Sequence, residues 1–328
     1  MINDADQPEN RSEPVAVRVT GESLFAAAMR IVPQDGNRRD LAARFLAGAR
    51  SSGLDLTHAF AVIDGKAGGI EPVARQACFA IPGPGRTAML FLSGPRPSGG
   101  DDALSAPERD ACVREAIRSV GASEVTLVQA LPDPNDDWAC SCFDRIGMQN
   151  VGELAYLSRR LTGVRPESRP HTPDGLSLRA CGDLKASQPD RDRLCDLLAR
   201  SYEGTLDCPE LCGMRDVADI LDSHLAAGTF DPRHWLIARE NGADVGCCLV
   251  SLNDEGATAE LVYIGLPPEA RGRGTARWLL ETSIWGLRTT PAQQMVCAVD
   301  RRNVPASALY NGMGFREFAA RRALVTPV

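Results

Sequence analysis

Residues 261–280, LVYIGLPPEARGRGTARWLL, contain the stretch that decides the fold of this chain. The run from 261 to 266 is apolar and rich in β-branched and aromatic residues, so it predicts a strand that ends at Pro267 and Pro268. Apolar residues then recur at helical spacing: Ala276, Leu279, Leu280, Ile284 and Leu287. We therefore expect a strand that leads through a short loop into a helix.

The loop between this strand and this helix reads Arg-Gly-Arg-Gly-Thr-Ala at residues 271–276. Glycines let a backbone approach a ligand closely, and the first amides of a helix, together with the helix dipole, attract phosphate oxygens. Arginines at 271, 273 and 277 add charged donors on the same side. The loop predicts a pyrophosphate site, although an ordinary Gly-rich turn with solvated arginines has the same composition.

A second segment, NVPASALYNGMGF at residues 303–315, predicts a short helix whose two ends are both marked. Asn303 is a good N-cap, and Pro305 is tolerated in a first turn. Gly314 suits the end of the helix, where the backbone adopts a positive φ. This segment follows a predicted strand near 294–299, so the order is strand, helix, strand, helix.

Together the two segments resemble the GNAT family of acyl-CoA-dependent N-acetyltransferases. The first family motif is Arg or Gln, two residues, Gly, one residue, then Gly or Ala, and Arg271, Gly274 and Ala276 match it. The second motif is an Asn that opens a helix ending in a Gly-aromatic pair, and it is matched by Asn303, Ala306, Leu309, Tyr310, Gly314 and Phe315. The resemblance covers about residues 175–328. It implies an α/β (α+β) domain in which helices flank a mixed, mostly antiparallel sheet.

The resemblance also implies acetyl-CoA as the acyl donor and assigns the residues that contact it. A backbone amide at 264–266, where the strand splays from its neighbour, would hold the thioester carbonyl, and the loop would hold the pyrophosphate. The implied cofactor-binding residues are Ile264, Gly265, Leu266, Arg271, Gly272, Arg273, Gly274, Thr275, Ala276, Arg277 and Asn303.

Two residues are candidates for the chemistry. A Lys-type ammonium has a pKa near 10.4, so a base must remove its proton before attack. Glu260 occupies the strand position at which tandem-domain family members of the mycothiol synthase type place a Glu against the amine; the alternative is a solvated strand residue. Tyr310 matches the family's usual general acid for the departing CoA thiolate, and the alternative is a packing role beside Leu309 and Phe315.

The acceptor is expected beside residues 201–216, SYEGTLDCPELCGMRD, a poor helix with several acidic residues. Candidate substrate-binding residues are Tyr202, Glu203, Asp207 and Arg215. Acidic groups favour a cationic amine, whereas an acidic surface loop is the alternative. A sugar amine, an amino acid or polyamine, and a protein N-terminus all remain open as acceptors.

The first half of the chain contains a fainter copy of the second motif. Residues 136–148, DDWACSCFDRIGM, align without gaps on residues 303–315, and Phe143 stands where Tyr310 has a hydroxyl. In place of the phosphate loop the first half has GPRPSGGDDALSAPER, with three prolines and two aspartates. We therefore expect two tandem GNAT-like domains, the first of them catalytically silent. The expected organisation is a disordered leader (1–15), a degenerate domain (16–161), a linker (162–175) and a catalytic domain (176–328).

Composition narrows the function classes further. The 328 residues carry a net charge of −7 with no basic block, which argues against nucleic-acid binding. No run of 18 apolar residues and no apolar signal region occurs, so we expect a soluble cytoplasmic protein without membrane contact. The eleven cysteines lack a zinc-like spacing, which predicts free thiols and no metal.

The sequence thus predicts an acetyl-CoA-dependent N-acetyltransferase acting on a small-molecule or peptide amine. Direct attack in a ternary complex is expected, because no Cys or Ser is marked as an acyl carrier. The alternative from another class is a non-catalytic acyl-CoA sensor or scaffold. Acyl chain length and the choice between monomer and homodimer stay open.

Overall fold

A computed structural model describes most of the chain: residues 13–33, 36–64, 71–95, 104–162, 168–253 and 256–328. The expected leader lies outside the described residues up to position 12, and so do residues 163–167 of the expected linker. Residues 96–103, which are part of the first half's counterpart of the phosphate loop (94–109), also lie outside them. The expected domain boundaries therefore stay predictions.

The first half of the chain alternates strands and helices in the order expected of one domain. Its elements are β1 (Val17–Arg18), α1 (Gly21–Ile31), α2 (Arg38–Ser51), β2 (Ala59–Asp64), β3 (Val73–Gly83), β4 (Thr87–Leu92), α3 (Ser105–Gly121), β5 (Leu127–Ala130), α4 (Asp137–Arg145) and β6 (Gln149–Arg160).

The second half repeats this order element by element. Its elements are β7 (Leu176–Ala180), α5 (Gln188–Tyr202), α6 (Val217–Leu225), β8 (Trp235–Glu240), β9 (Ala243–Leu252), β10 (Thr258–Gly265), α7 (Thr275–Gly286), β11 (Gln294–Asp300), α8 (Val304–Gly312) and β12 (Arg316–Pro327). The strand, loop and helix expected around residues 261–280 are therefore β10, the Gly-rich loop and α7.

Among the described residues the strands form one sheet of twelve, in the order β1-β2-β3-β4-β5-β12-β6-β11-β10-β9-β8-β7. Neighbouring strands are antiparallel except β4 with β5 and β10 with β11, which are parallel. The order is the same when read inward from either edge, apart from the two central strands. This arrangement confirms the mixed, mostly antiparallel fold class and shows that the two halves share one sheet.

The two central strands are exchanged between the halves. β12, the last strand of the second half, pairs with β5 of the first half through Leu324 and Ala130. β6, the last strand of the first half, pairs with β11 of the second half through Leu157 and Cys297. Each half therefore completes its sheet with a strand from the other.

Helices cover both faces of this sheet and bury the core. On one face of the second half, Leu279, Leu280 and Ile284 of α7 pack with Ala259 and Leu261 of β10. Full burial of each large apolar side chain contributes about 1.5–3 kcal/mol. The opposite face of β8 and β9 packs against α5 and α6 in a separate cluster that contains Trp235. Side chains of β10 therefore pack on both faces of the sheet, some in the cluster around α7 and others against the cluster around α5.

A polar contact joins α6 to the first half. The guanidinium Nη2 of Arg215 donates to the carbonyl oxygens of Gly85 and Asp219 at 2.7 and 2.9 Å, and to Oγ of Ser223 at 2.6 Å. Ser223 Oγ in turn donates to the carbonyl of Pro84 at 2.9 Å. The turn between β3 and β4 is therefore held against α6.

Within the part of the chain that the structure describes, no helix combines the length and apolar character needed to cross a membrane.

Candidate functional site

The strands β10 and β11 separate after a short parallel stretch. They pair only from Thr258 opposite Gln294 to Glu260 opposite Val296. Beyond this point β10 follows β9 as far as Gly265, and β11 follows β6 as far as Asp300. The gap opens into a cavity of about 540 Å³, which the Gly-rich loop, the start of α7 and one face of α8 also line. Ile264, Gly265 and Leu266 all lie in its wall, where the resemblance predicts the carbonyl-binding amide.

The Gly-rich loop brings bare backbone to one end of this cavity. Gly272 and Gly274 have φ values of 74° and 82°, in the left-handed region that favours glycine, and a Cβ at either position would meet no atom within 4 Å. Gly274 is the N-cap of α7, so the first amides of that helix have no intrahelical acceptor. Thr275 and Ala276 complete this wall of the cavity. The loop is thus open to an anionic ligand on the cavity side.

Arg271 has a structural role that the sequence did not predict. Its guanidinium donates to four backbone carbonyls, those of Leu266 (3.0 Å), Gly204 (3.1 Å), Ser201 (3.0 Å) and Glu203 (2.6 Å). These carbonyls belong to the end of β10 and the end of α5. Arg271 therefore fixes the Gly-rich loop against the segment that follows α5.

The other two arginines of the loop are paired with carboxylates at the surface. Arg273 forms an ion pair with Glu240 of β8, and Arg277 forms one with Glu281 one helical turn further on, at 3.2 Å. Arg277 lines the cavity, together with Arg271. Direct contact of these side chains with a ligand stays a prediction.

Helix α8 supplies the opposite wall of the cavity. The Asn303 side chain accepts from the backbone N–H of Ala306 at 3.3 Å, so Asn303 is the N-cap that the sequence predicts. Tyr310 is only 5% exposed and its ring lies 5.6 Å from that of Phe315, between ring centroids. Burial raises the pKa of Tyr310 well above its ordinary value of 10.0. The phenol both packs in the core and lines the cavity, and it stays protonated near neutral pH.

Asp207 reaches the same cavity from the segment after α5. Its Oδ1 accepts from the backbone N–H of Asp300 at 2.7 Å. Desolvation by the surrounding protein is the main cause that raises the pKa of Asp207. The neighbouring charge of Asp300 adds to the rise, and hydrogen bonds with the Asp300 backbone and the Asn303 side chain oppose it. A carboxyl group thus stands among the Gly-rich loop, the end of β11 and α8.

A charged network at the end of β11 holds this segment in place, and sequence reasoning missed it. Asp300, a fully buried residue, accepts from the backbone N–H of Cys208 at 3.1 Å and pairs with Arg302 at 2.7 Å. Arg302 also pairs with Glu210 at 2.6 Å and donates to the carbonyl of Val151 at 2.7 Å. The signal in the sequence was an Asp that ends an apolar strand two residues before an Arg.

Tyr202 belongs to a buried aromatic cluster beside the cavity. Its hydroxyl lies 3.4 Å from Nε2 of His224, and its ring meets that of Tyr263 edge-on at 5.4 Å. Burial and, as a smaller cause, the charge of Arg215 lower the pKa of His224 to about 4. Tyr263, which the sequence analysis did not single out, lines the cavity and shares a 2.8 Å hydrogen bond with Ser201.

The remaining candidates lie outside the cavity wall. Glu260 is exposed on the sheet face just before the strands separate, and desolvation by the surrounding protein raises the pKa of its carboxyl above 4.5. Glu203 is exposed at the end of α5. Arg215 contacts the β3–β4 turn, as described above. The structure therefore brings Asp207 and Tyr310 to one cavity, while the roles of Glu260, Glu203 and Arg215 stay predictions.

The cysteines show no sign of metal or disulfide chemistry in the described parts of the chain. All eleven are free, and no group of three or more His, Cys, Asp and Glu residues is placed to hold a metal ion there. Burial raises the pKa of Cys248 and of Cys297 to about 12.

Residues 192–315 match the model of the acetyltransferase (GNAT) family. A mycothiol acetyltransferase from Catenulispora acidiphila is 28% identical over 181 residues, which are 53% of this chain and 54% of that protein. The chain thus spans about half the length of this curated relative.

Two solved structures share the fold over nearly the whole chain. A GCN5-related N-acetyltransferase from Sphaerobacter thermophilus superposes with a TM-score of 0.60 at 18% identity, covering 95% of both chains. A tandem GNAT protein from the clavulanic acid biosynthesis pathway superposes with a TM-score of 0.53 at 15% identity, covering 95% of this chain and 97% of that one. Residues 192–315 therefore match the GNAT acetyltransferase family, and the chain shares its fold with solved GNAT structures, one of them a tandem GNAT protein.

Proposed function

We propose that this protein is an acetyl-CoA-dependent N-acetyltransferase that transfers the acetyl group to a primary amine of a small molecule or peptide. The observation that carries the proposal is the cavity between the separated strands β10 and β11. The Gly-rich loop stands at one end of it, and Tyr310 and Asp207 stand in its walls. The family match and the relative named mycothiol acetyltransferase support acetyl transfer.

The residues at the loop fit the phosphate end of acetyl-CoA. Gly272 and Gly274 leave open space above the backbone, and the first amides of α7 attract anionic oxygens through hydrogen bonds and the helix dipole. Arg277 adds a cation at the same wall. A donor bound here would extend its thioester between β10 and β11 toward the backbone at 264–266.

Three groups of the protein then serve the transfer. A backbone amide at 264–266 hydrogen-bonds the carbonyl oxygen as negative charge develops on it, an effect worth about 3 kcal/mol at such sites. A carboxylate, Glu260 in our proposal, accepts the proton of the attacking ammonium. Tyr310, held in its protonated form by burial, donates to the sulfur that leaves.

Direct attack by the amine is the route that the surroundings of the cavity favour. Cys297 and Cys248 are buried in the core cluster that contains Tyr310, and their raised pKa values keep both thiols protonated at neutral pH. A thiol in that state is a poor nucleophile. A covalent acyl-cysteine is therefore not part of the proposal.

The experiment is a calorimetric titration of the full chain with acetyl-CoA, followed by an assay of CoA release with a panel of primary amines. The key variant is Gly274→Asp, which places a carboxylate where phosphate oxygens are expected. Like-charge contact of this kind costs a few kcal/mol, so we expect affinity to fall by roughly a hundredfold.

Gly147→Asp is the matched control, because Gly147 has the same φ of 82° and open space around its Cβ, but lies after α4 in the first half. The proposal is supported if the titration shows one acetyl-CoA site that is kept in Gly147→Asp and lost in Gly274→Asp. Absence of acetyl-CoA binding by the unmodified chain contradicts it. Binding without CoA release from any amine would favour the alternative, a non-catalytic acyl-CoA sensor.

A further inference from the structure

The sheet face opposite to α7 is open where the cavity meets it. Glu260 pairs with Val296 of β11, and Ala298 of the same strand pairs with Tyr156 of β6. Residues opposite each other on neighbouring strands project to the same face, and so do alternate residues along one strand. These four side chains therefore share a face, and Ala298 among them is exposed and lines the cavity.

An aromatic pair stands on this face. The ring of Tyr156 meets the ring of Phe318 edge-on, with centroids 6.3 Å apart and an interplanar angle of 75°. Phe318 is 60% exposed, although it is a large apolar residue. It lies where the pairing of β12 with β6 shifts register between Glu317 and Ala319, and a bulge of this kind re-aims a side chain.

A carboxylate without a cationic partner lies next to the aromatic pair. Among the residues that the structure describes, no Arg, Lys or His forms an ion pair with Glu260, and its charge is felt by the phenol of Tyr156. Arg321, whose charge also acts on Tyr156, is itself paired with Asp133 at 3.5 Å. The Glu260 side of this face therefore offers negative charge to a ligand.

The segment after α5 bounds the face and links it to the cavity. Leu154 lies two residues before Tyr156 on the same face, and it packs with Leu211 and Met214 of that segment. The same segment presents Asp207 to the cavity. This segment therefore touches both the face, at Leu154, and the cavity, at Asp207.

We infer that Tyr156, Phe318, Ala298 and Glu260, here called the ring platform, bind the acceptor and select a primary amine carried on a ring with an apolar face. The ammonium lies toward Glu260, and the ring packs against Tyr156 and Phe318. The inference rests on the proposed function, since it assigns the acceptor of that reaction. It also assigns the first half a part in the site, because Tyr156 belongs to β6.

The test measures binding of three amines to the full chain saturated with coenzyme A, by ligand-observed NMR titration. The probes are 2-phenylethylamine, glucosamine and the ringless n-butylamine. We expect at least one ring amine to bind about tenfold more tightly than n-butylamine, as aromatic contacts of this size allow. A preference for 2-phenylethylamine indicates an aryl amine as the acceptor, and a preference for glucosamine indicates an amino sugar.

Variants of the platform locate the binding. Phe318→Ala and Tyr156→Ala should each weaken binding of the preferred ring amine about tenfold. Tyr156→Phe should retain this binding, because the aromatic ring and not the hydroxyl packs against the ligand. Glu260→Gln should weaken binding of all three amines. The matched control is Phe91→Ala, which removes another exposed strand phenylalanine, 42% exposed on β4. Equal binding of n-butylamine and the ring amines, or equal effects of Phe318→Ala and Phe91→Ala, would overturn the inference.

The same proteins separate this inference from the proposed function. Ring amines that bind as expected but release no CoA contradict acetyl transfer and leave the ring platform standing. CoA release from n-butylamine at the same kcat/KM as from ring amines, unaffected by Phe318→Ala, contradicts the ring platform and leaves acetyl transfer standing.

Discussion

In the first half of the molecule, β4 and β5 pair in parallel only from Thr87 to Met89 and then separate beside a cavity of about 660 Å³. In the second half, β10 and β11 do the same beside the cavity of about 540 Å³. Both cavities also border the short helix that follows, α4 or α8. The strand order alone therefore produces a cavity at this point, whatever side chains line it.

The side chains of the two cavities differ in chemistry. The first is lined by Asp133, Asp136 and Phe143, and burial and the charge of Asp133 raise the pKa of Asp136. The second has Asn303 in place of Asp136 and Tyr310 in place of Phe143, with the open Gly-rich loop beside them. Shape is thus common to both halves, whereas the phenol of Tyr310 and the side-chain amide of Asn303 belong to the second. We expect the first half to be catalytically silent.

The largest expected effect comes from exchanging the aromatic residues of the two cavities. Tyr310→Phe removes the proton donor and keeps the packing against Phe315, so kcat should fall at least about a hundredfold, as for loss of a general acid. Acetyl-CoA affinity, measured by calorimetry, should change little. Phe143→Tyr should create no activity when tested in the Tyr310→Phe background. Normal turnover of Tyr310→Phe would show that the phenol only packs.

The next effect tests whether the halves depend on each other through the exchanged strands. Gly152 of β6 has a φ of 153°, and a Cβ there would lie 2.6 Å from Oδ2 of Asp300 in the second half. Gly152→Ala should therefore lower the free energy of unfolding by about 2 kcal/mol and weaken acetyl-CoA binding.

The control for this change is Gly48→Ala on helix α2. Gly48 lacks a positive φ, and no atom lies within 4 Å of its added Cβ, so the helix should gain slightly in stability. Urea unfolding of the full chain measures both variants. If Gly152→Ala leaves the free energy of unfolding as high as Gly48→Ala does, the two halves are not coupled at this position.

The smallest effect concerns Glu260 and the pH dependence of the rate. Its pKa is raised by desolvation, so the base form is lost as the pH falls toward a value that lies above 4.5. We expect kcat/KM to decline with acidification through an inflection that Glu260→Gln abolishes. The rate of Glu260→Gln near neutral pH should be about tenfold lower, which is a small effect for loss of a general base, because a second carboxyl group, that of Asp207, lines the cavity.

Glu203→Gln serves as the control, since Glu203 is also an exposed candidate but lies at the end of α5. An unchanged pH profile in Glu260→Gln would remove Glu260 from the mechanism.

Much of the fold follows from local patterns in the sequence. The strand at 261–266, the helix from about 274 and the cap at Asn303 were predictable, because periodicity, proline and N-cap chemistry act within a few residues. The resemblance to the GNAT family was confirmed by the family match, and its tandem type by a solved tandem GNAT structure.

Contacts between distant segments were not predictable in the same way. β6 and β12 are both twelve-residue strands that follow a short helix, so their periodicity cannot tell which neighbour each will pair with. The motif predicts Arg271 as a phosphate ligand. In the structure its guanidinium donates to four backbone carbonyls, three of which lie 67 to 70 positions away in the sequence. The sequence likewise predicts Arg215 as an acceptor-binding residue. In the structure it donates to the carbonyl of Gly85, which lies 130 positions away in the sequence.

The position of β12 also sets the order in which the chain can be completed during synthesis. β5 and β6 leave the ribosome early, yet in the finished sheet neither is the other's neighbour, and both are paired to residues of the segment 316–327. Until that segment has emerged, the inner edge of the first half lacks its native partner, and an unpaired strand edge invites wrong pairing. Folding of the first half therefore ends only when the last strand of the second half is available.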